Sequence, residues 1–270
     1  MDIKIYIPKK IHYCWFGGNP FSEKVKKCID SWKQYMPDYE IIEWNETNFD
    51  ISCCEYISEA YRAKKWAFVS DAVRVYVLKE YGGVYLDTDV ELFAPPADIF
   101  NNANVVFGFD NKFLLSTGVL SAVAHHSIYE RMWEEYSKLH FKGVETESTI
   151  NTKITFLVLD YLNKRRVTNG LYAIRDIKIL PKDYFAGTIS KNNDMPPIFA
   201  VHHFIGSWKE KTRLTFCQYI IFAMKFKVLH VLSFFIGNKK YITINDSLWR
   251  NALKLTSRNL QENKKIYKVL

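Results

Sequence analysis

From Trp66 to Tyr81 apolar residues recur at helical spacing, and Gly82-Gly83 supplies the flexible stop that lets the chain leave a helix for a short apolar run, Val84-Tyr85-Leu86. Side chains alternate faces in an extended segment, so Asp87 and Asp89 are expected on one side with Thr88 opposite. Two carboxylates are thereby presented together at a strand end. Before this stretch the pattern predicts a strand over residues 10–16 aimed at the turn Gly17-Gly18-Asn19-Pro20. A packing helix over 21–36 capped by Ser22, a strand over 39–44 and a helix from 52 to about 64 follow. Beyond it, strands are expected over 104–109 and 114–122, and helices over 125–139 and 149–163. Further strands lie within 172–180 and over 199–204, separated by a long polar connection over 181–197. This alternation predicts an α/β chain with a mostly parallel central sheet and helices on its faces. In such sheets ligands collect outside the carboxyl ends of the strands, where Asp87 and Asp89 lie.

Paired carboxylates suit Mn²⁺ or Mg²⁺, which take oxygen ligands and fill their remaining positions with water and phosphate oxygens. Asp71 and Arg74, three apart on the preceding helix, share a face and add an anion and a cation to the same pocket. Either feature alone is ordinary, since Asp-x-Asp is common in solvated turns and an i, i+3 pair is common as a surface salt bridge. Their conjunction is what points to a site. Ser116-Thr117-Gly118 places small hydroxyls and a glycine where a polar ligand can approach closely. A second cluster is His202-His203 followed by Gly206-Ser207-Trp208. On a strand the two histidines face opposite ways, so only one can reach the aspartates, and alternation does not decide which.

The run Ser70-Asp71-Ala72-Val73-Arg74, then Tyr81-Gly82-Gly83-Val84-Tyr85-Leu86-Asp87-Thr88-Asp89-Val90, resembles the signature of the DXD sugar transferases called glycosyltransferase family 32. Yeast initiating mannosyltransferases belong to that group, and the glucosyltransferase domains of large clostridial toxins are more distant relatives. The opening Ile7-Pro8-Lys9-Lys10-Ile11-His12-Tyr13-Cys14-Trp15-Phe16-Gly17 and the late His202-His203-Phe204-Ile205-Gly206-Ser207-Trp208 match in the expected order, so the resemblance spans the first 208 residues. It implies a GT-A-like nucleotide-sugar-binding fold over 1–208 and a transferase that uses Mn²⁺ or Mg²⁺. Asp87 and Asp89 would hold the metal, with His202 favoured over His203 as the late ligand. Trp15 would stack on the base, and Ser207 and Trp208 would close on the diphosphate, with Lys209 a further donor. Asp71 and Arg74 would hold the sugar. The donor would be a nucleotide-sugar, UDP favoured over GDP, the acceptor a glycan, lipid-linked or free, and the anomeric configuration is expected to be retained.

Composition adds the tail. The chain has 270 residues, 48% of them hydrophobic, enough for a sizeable core. Of the net charge of +8, residues 208–270 alone contribute +10, from 13 Lys/Arg against 3 Asp/Glu, so the body is about neutral. Residues 216–236 are mainly apolar and long enough for a membrane span, but Lys225 and Lys227 near the middle would each cost roughly 2.5–3.5 kcal/mol at a bilayer centre. A basic helical appendage over 209–270, buried on the domain or lying on an anionic membrane surface, is therefore expected, with lipid rather than nucleic acid as the anionic partner. Five cysteines without a C-x-x-C pair read as reduced thiols, and residues 1–10 lack a signal-peptide core. A cytoplasmic enzyme, peripheral at the inner face of the membrane and working in surface-polysaccharide synthesis, is the expectation. Two alternatives compete. A nucleotidyltransferase also uses paired aspartates, though the turn after the first strand lacks that class's basic, glycine-rich loop. A non-catalytic membrane-binding protein leaves Asp71, Arg74, Asp87, Asp89 and the late histidines without a shared purpose.

Overall fold

The computed structural model describes residues 6–96, 99–143, 149–185, 198–203, 239–240, 242–244 and 247. Strand β1 (Lys10–Cys14) is followed by α1 (Glu23–Tyr35), β2 (Glu40–Trp44), α2 (Glu55–Arg62), α3 (Trp66–Tyr81), β3 (Gly83–Leu86) and β4 (Val90–Leu92). Then come β5 (Val105–Gly108), β6 (Val119–Ala122), α4 (Ser127–Ser137), α5 (Ile150–Tyr161), β7 (Tyr172–Ile174), β8 (Ile177–Leu180) and β9 (Ala200–His202). Seven strands form one sheet in the order β2-β1-β3-β6-β5-β8-β7, and β4 and β9 form a separate antiparallel pair. The parallel block expected from strand–helix alternation is β2-β1-β3, with β5 and β8 also parallel. β6 joins it antiparallel to both neighbours, and β7 lies antiparallel to β8, so the sheet as a whole is mixed.

Alternation along the strands divides the interior in two. Tyr85, Phe107 and Leu120 point into a core built with α2, α3, α4 and α5, while Val84, Leu86, Val106 and Val119 point into a second core built with α1 and the β4–β9 pair. Helix α3 occupies the bounds its periodicity predicts, and Val69, Ala72, Val73, Val75, Val77 and Leu78 are all fully buried. Four of these are valines, which lose side-chain freedom in a helix, so tertiary burial rather than propensity holds α3 together. Each contributes roughly 1.5–3 kcal/mol on leaving water. The helix stops at Gly82, whose φ of 62° favours glycine and whose missing Cβ would meet Ala124 N at 2.6 Å. Ser22 and Thr149 cap α1 and α5 by accepting from Val25 N and Thr152 N.

A buried histidine pins the junction between α3 and β3. Trp44 Nε1–H donates to His12 Nδ1 at 3.1 Å, which leaves the proton on Nε2 to donate to Gly82 O at 2.9 Å. Burial pushes His12 down to about 4, a neighbouring Lys10 adding to the shift and the Gly82 carbonyl opposing it. Cys14, Cys28, Cys53 and Cys54 are free thiols, in keeping with the expected reduced state, and Cys217 lies outside the described residues.

Residues 204–238 and 248–270 also lie outside them, and with these the 216–236 run, Ser207, Trp208 and Lys209. The described parts of the appendage, residues 239–240, 242–244 and 247, are helical. Lys239 pairs with Asp160 on α5 and lies 5.6 Å from the Phe156 ring centre, and Ile242 is fully buried. Among the described residues no helix is long and apolar enough to cross a membrane.

Candidate active site

Asp87 and Asp89 do not extend β3 as the alternation suggests. The strand ends at Leu86, and Val90 N donates to Asp87 O at 2.9 Å, so the two aspartates flank a tight turn into β4. They still converge, because β4 pairs with β9 in a register that sets Val90 opposite His202. His202 Nε2 comes 3.0 Å from Asp89 Oδ1 and 3.9 Å from Asp87 Oδ2, and one ligand atom from each of the three residues lies within 4.8 Å of the others. His203 faces away. Its Nε2 is 2.8 Å from the buried Glu91, whose other oxygen meets Lys27 of α1 at 2.8 Å, while its backbone N–H donates to Asp89 O at 2.9 Å. Helix α1 braces β4 as well, since Trp32 Nε1–H donates to Val90 O at 2.8 Å and Ser31 Oγ accepts from Leu92 N at 2.9 Å.

Arg74 ties α3 to this turn. Its Nη2 lies 3.0 Å from Asp71 Oδ1 and 3.2 Å from Asp87 Oδ1, its Nη1–H donates to Thr117 O at 2.8 Å, and its guanidinium covers the Tyr85 ring at 4.6 Å. Burial works against its charge, but Asp87, Tyr85 and Asp71 more than offset that, and the guanidinium's proton affinity rises. Burial likewise pushes Asp71 up to about 6, with Arg74 opposing the shift. His202 is raised above its ordinary value. Its burial acts downward, and the Asp89 hydrogen bond and the charges of Asp87, Asp89 and Asp110 prevail.

The fourth wall is the segment 115–118. Asp87 N donates to Gly118 O at 2.9 Å, and a Cβ on Gly118 would come within 2.8 Å of His202 Nδ1 and 3.2 Å of Asp87 Oδ2. Only a residue without a side chain leaves room between imidazole and carboxylate. The segment is fastened to α5 by Asn151, whose Nδ2–H donates to Leu115 O at 2.8 Å and whose Oδ1 accepts from Thr117 Oγ1 at 3.1 Å. Two carboxylates and an imidazole around a cradle that a single methyl would fill are a donor set suited to a small divalent cation.

A cleft of about 510 Å³ opens at the carboxyl end of β1, lined by Gly17, Gly18, Asn19, Glu46, Tyr61, Lys64 and Trp66. Trp66 lies over Gly17, where a Cβ would sit 2.7 Å from Cε2, and Glu46 accepts from Gly17 N at 2.7 Å and Tyr61 OH at 3.0 Å. Trp15 packs edge-on against Phe21 and donates its indole N–H to Asn19 O at 2.6 Å, so it meets the cleft through Asn19. Trp66, Tyr61 and Glu46 were not among the site residues expected from sequence, whereas Gly118 was, as part of Ser116-Thr117-Gly118. For Trp66 a signal existed: it opens α3, the helix that also carries Asp71 and Arg74.

Residues 22–106 match the family described as glycosyltransferase sugar-binding region containing DXD motif. Over this stretch the chain is similar to the DXD glycosyltransferases. Among curated proteins, inositol phosphoceramide mannosyltransferase 3 of Schizosaccharomyces pombe is 35% identical over 96 residues, covering 31% of this chain and 24% of that protein. Inositol phosphoceramide mannosyltransferase 1 of the same yeast is 23% identical over 166 residues, 57% of this chain and 50% of that protein. Subversion of eukaryotic traffic protein A of Legionella pneumophila is 27% identical over 131 residues, 38% and 20% respectively. The chain thus spans half or less of the length of these relatives. Among solved structures, PaToxG glycosyltransferase is similar with a TM-score of 0.45 and 18% identity, over 59% of this chain and 71% of that one. The galactosyltransferase LgtC in complex with donor and acceptor sugar analogues is similar with a TM-score of 0.38 and 12% identity, over 72% and 86%.

Proposed function

We propose that this chain transfers a sugar from a nucleotide-sugar donor to a glycan acceptor, with a divalent cation, Mn²⁺ or Mg²⁺, held by Asp87, Asp89 and His202. The observation that carries this reading is the meeting of those three side chains beside an arginine that bridges Asp71 and Asp87. The family match over residues 22–106 supplies the sugar chemistry. When bound, the cation neutralises charge on the departing diphosphate.

The chain's own residues do the rest. The cleft beside Gly17 and Trp66 takes the nucleotide, UDP by preference, with Trp15 shaping its rim through Asn19. Asp71 accepts from sugar hydroxyls while Arg74 fixes its orientation, so the anomeric carbon is held toward the acceptor. Ser207 and Trp208, just beyond His202-His203 in sequence, are assigned to the diphosphate. Both Asp71 and Asp87 are engaged by Arg74, which leaves neither as a lone nucleophile for double displacement. Retention then follows from front-face departure: the anomeric C–O bond to the diphosphate breaks, the acceptor oxygen bonds on the same face, and its proton passes to the leaving phosphate oxygen.

We assign to this enzyme a lipid-linked glycan acceptor in surface-polysaccharide assembly, with residues 209–270 holding it at the inner face of a membrane. Their net basic charge, together with the apolar 216–236 run, supports this reading. The test is hydrolysis and transfer by the full chain with a panel of UDP- and GDP-sugars. Turnover should require Mn²⁺ or Mg²⁺, stop with chelator, and be lost in Asp89→Asn. Turnover that persists at the wild-type rate in chelator or in Asp89→Asn would sink the metal assignment.

A further inference from the structure

Two adjacent thiols stand apart from the transfer chemistry described above. Cys53 and Cys54 join the loop after β2 to the start of α2, and both are free. Cys53 is exposed and Cys54 is buried, so one sulfur is offered to solvent and its neighbour is kept behind it. The turn that carries them is well fastened. Cys53 N donates to Asp50 O at 3.2 Å, Ser52 N donates to Asp50 Oδ1 at 2.9 Å, and Ser58 Oγ of α2 donates to Ile51 O at 3.0 Å.

The two sulfurs act on each other. Cys53 S–H bonds to the Cys54 sulfur, which holds Cys54 below its ordinary value and pushes Cys53 up. Cys54 is the N-cap of α2, where the N–H groups of Tyr56 and Ile57 also favour its thiolate against burial and the charge of Glu55. A proton handed from Cys53 to Cys54 along their bond leaves a nucleophile on the exposed sulfur, and the pair titrates as one unit. Cys14 and Cys28 lack this arrangement. Both are buried, and burial pushes their thiols up to about 12 and about 11.

We propose that Cys53-Cys54 is a redox modification site whose substrate is a small-molecule disulfide. The Cys53 sulfur, its proton passed to Cys54, attacks one sulfur of that disulfide and expels a thiolate, which takes a proton from solvent. Cys54 then gives up its proton and attacks the Cys53 sulfur, forming the Cys53–Cys54 bond and expelling the second thiolate, which is protonated in turn. The protein dithiol is oxidised with loss of two hydrogens, and the small disulfide is reduced to two thiols. Cα atoms across a trans peptide are about 3.8 Å apart, against the roughly 4.4–6.8 Å usual between bridged cysteines, so the bond carries strain and is easily reduced again.

On the reading that the cleft beside Gly17 takes the nucleotide, oxidation also weakens donor binding. Glu46, on the loop that leads to the thiols, accepts from Tyr61 OH of α2 at 3.0 Å, and Phe49 packs edge-on against Phe16, Trp44 and Tyr76. Twisting the Cys53–Cys54 peptide shifts the start of α2 against that loop, and both line the cleft.

The test treats the full native chain with glutathione disulfide, then alkylates it in denaturant and digests it with trypsin. The tryptic peptide 34–62 carries no other cysteine. Wild type, Cys53→Ser and Cys54→Ser are compared. Position 53 is exposed and serine is a favoured N-cap, so both variants keep the fold. The wild-type peptide should be two hydrogens lighter than the dithiol and closed to alkylation until dithiothreitol is added. Cys54→Ser should retain a glutathione adduct on Cys53, and Cys53→Ser should stay alkylatable. Alkylation of both thiols in wild type, or equal adduct formation in the two variants, overturns the site. Calorimetric titration with UDP and Mn²⁺ tests the consequence for the cleft. Oxidised wild type should bind about fivefold or more weakly than reduced, with recovery in dithiothreitol and no such loss in Cys53→Ser. Equal affinity of the two forms overturns the link to the cleft. A reduced chain that binds no UDP would sink the nucleotide reading instead, and the peptide masses still decide the thiol site.

Discussion

Two histidine–aspartate pairs stand at opposite ends of the sheet, each with nitrogen and oxygen 3.0 Å apart. At the amino end of β8, His126 Nε2–H donates to Asp176, while its Nδ1 accepts from Ile128 N and caps α4. Asp176 also accepts from Tyr161 OH at 2.8 Å and from Asn104 Nδ2 at 3.3 Å, and the Tyr161 and His126 bonds hold its carboxyl below the ordinary value despite burial. Every group there is matched, so the cluster is a brace. At the carboxyl end, Asp71, Asp87 and Asp89 gather around one guanidinium and one imidazole, with Lys153 acting on Asp71 from α5 and Asp110 adding to the negative field. The same residue types are left with an excess of negative charge, and that excess is what gives a cation or a polarised substrate a place to bind. Closure of the hydrogen-bond network, rather than residue identity, separates structural from chemical clusters in this fold.

The sharpest way to break the comparison is to cut both clusters. Asp87→Asn or Asp89→Asn should lower transfer on the order of 10³-fold, the loss of several kcal/mol of charge stabilisation, while shifting unfolding free energy by less than about 1 kcal/mol. Asp176→Ala should show the reverse in a denaturant titration, losing about 2–4 kcal/mol of stability with transfer intact. The opposite assignment of effects would erase the distinction.

Smaller effects sharpen it. Gly118→Ala thrusts a methyl between His202 and Asp87 and should cost up to about 100-fold in kcat with a near-normal melting temperature. Asn151→Ala frees segment 115–118 from α5 without touching a ligand, so a loss of roughly tenfold in kcat with little change in donor KM is expected. Away from the site, His12 is neutral in the folded state and its pKa lies well below the unfolded value. Its contribution is present at neutral pH and is lost as pH falls from about 6.5 toward 4, because the unfolded chain then binds the proton more tightly. Between pH 7 and pH 5 that amounts to about 2 kcal/mol, measurable as a falling urea midpoint.

How far the sequence could be read follows from how local each signal is. Helix α3, its Gly82 stop and the cap at Ser22 depend on neighbours within a few residues, and each stands where the pattern sets it. The meeting of Asp87 and Asp89 with a late histidine was legible through the motif, and the alternation left His202 and His203 open. The choice depends on the register of β9 on β4, a pairing across more than 100 residues that no local pattern encodes. The turn at 87–89 escaped because two aspartates flanking a threonine read equally well as strand or turn. Asn151 owes its place beside segment 115–118 to contacts between segments distant in sequence, and the antiparallel entry of β6 escaped for the same reason.

The central claim is that Asp87, Asp89 and His202 form one divalent-cation site, and Mn²⁺ titration followed by electron paramagnetic resonance tests it most directly. One Mn²⁺ per wild-type chain should bind, more tightly with a nucleoside diphosphate present, and Asp87→Asn and Asp89→Asn should each abolish that site while His203→Gln leaves it. Equal Mn²⁺ occupancy in wild type and both aspartate variants would contradict the account.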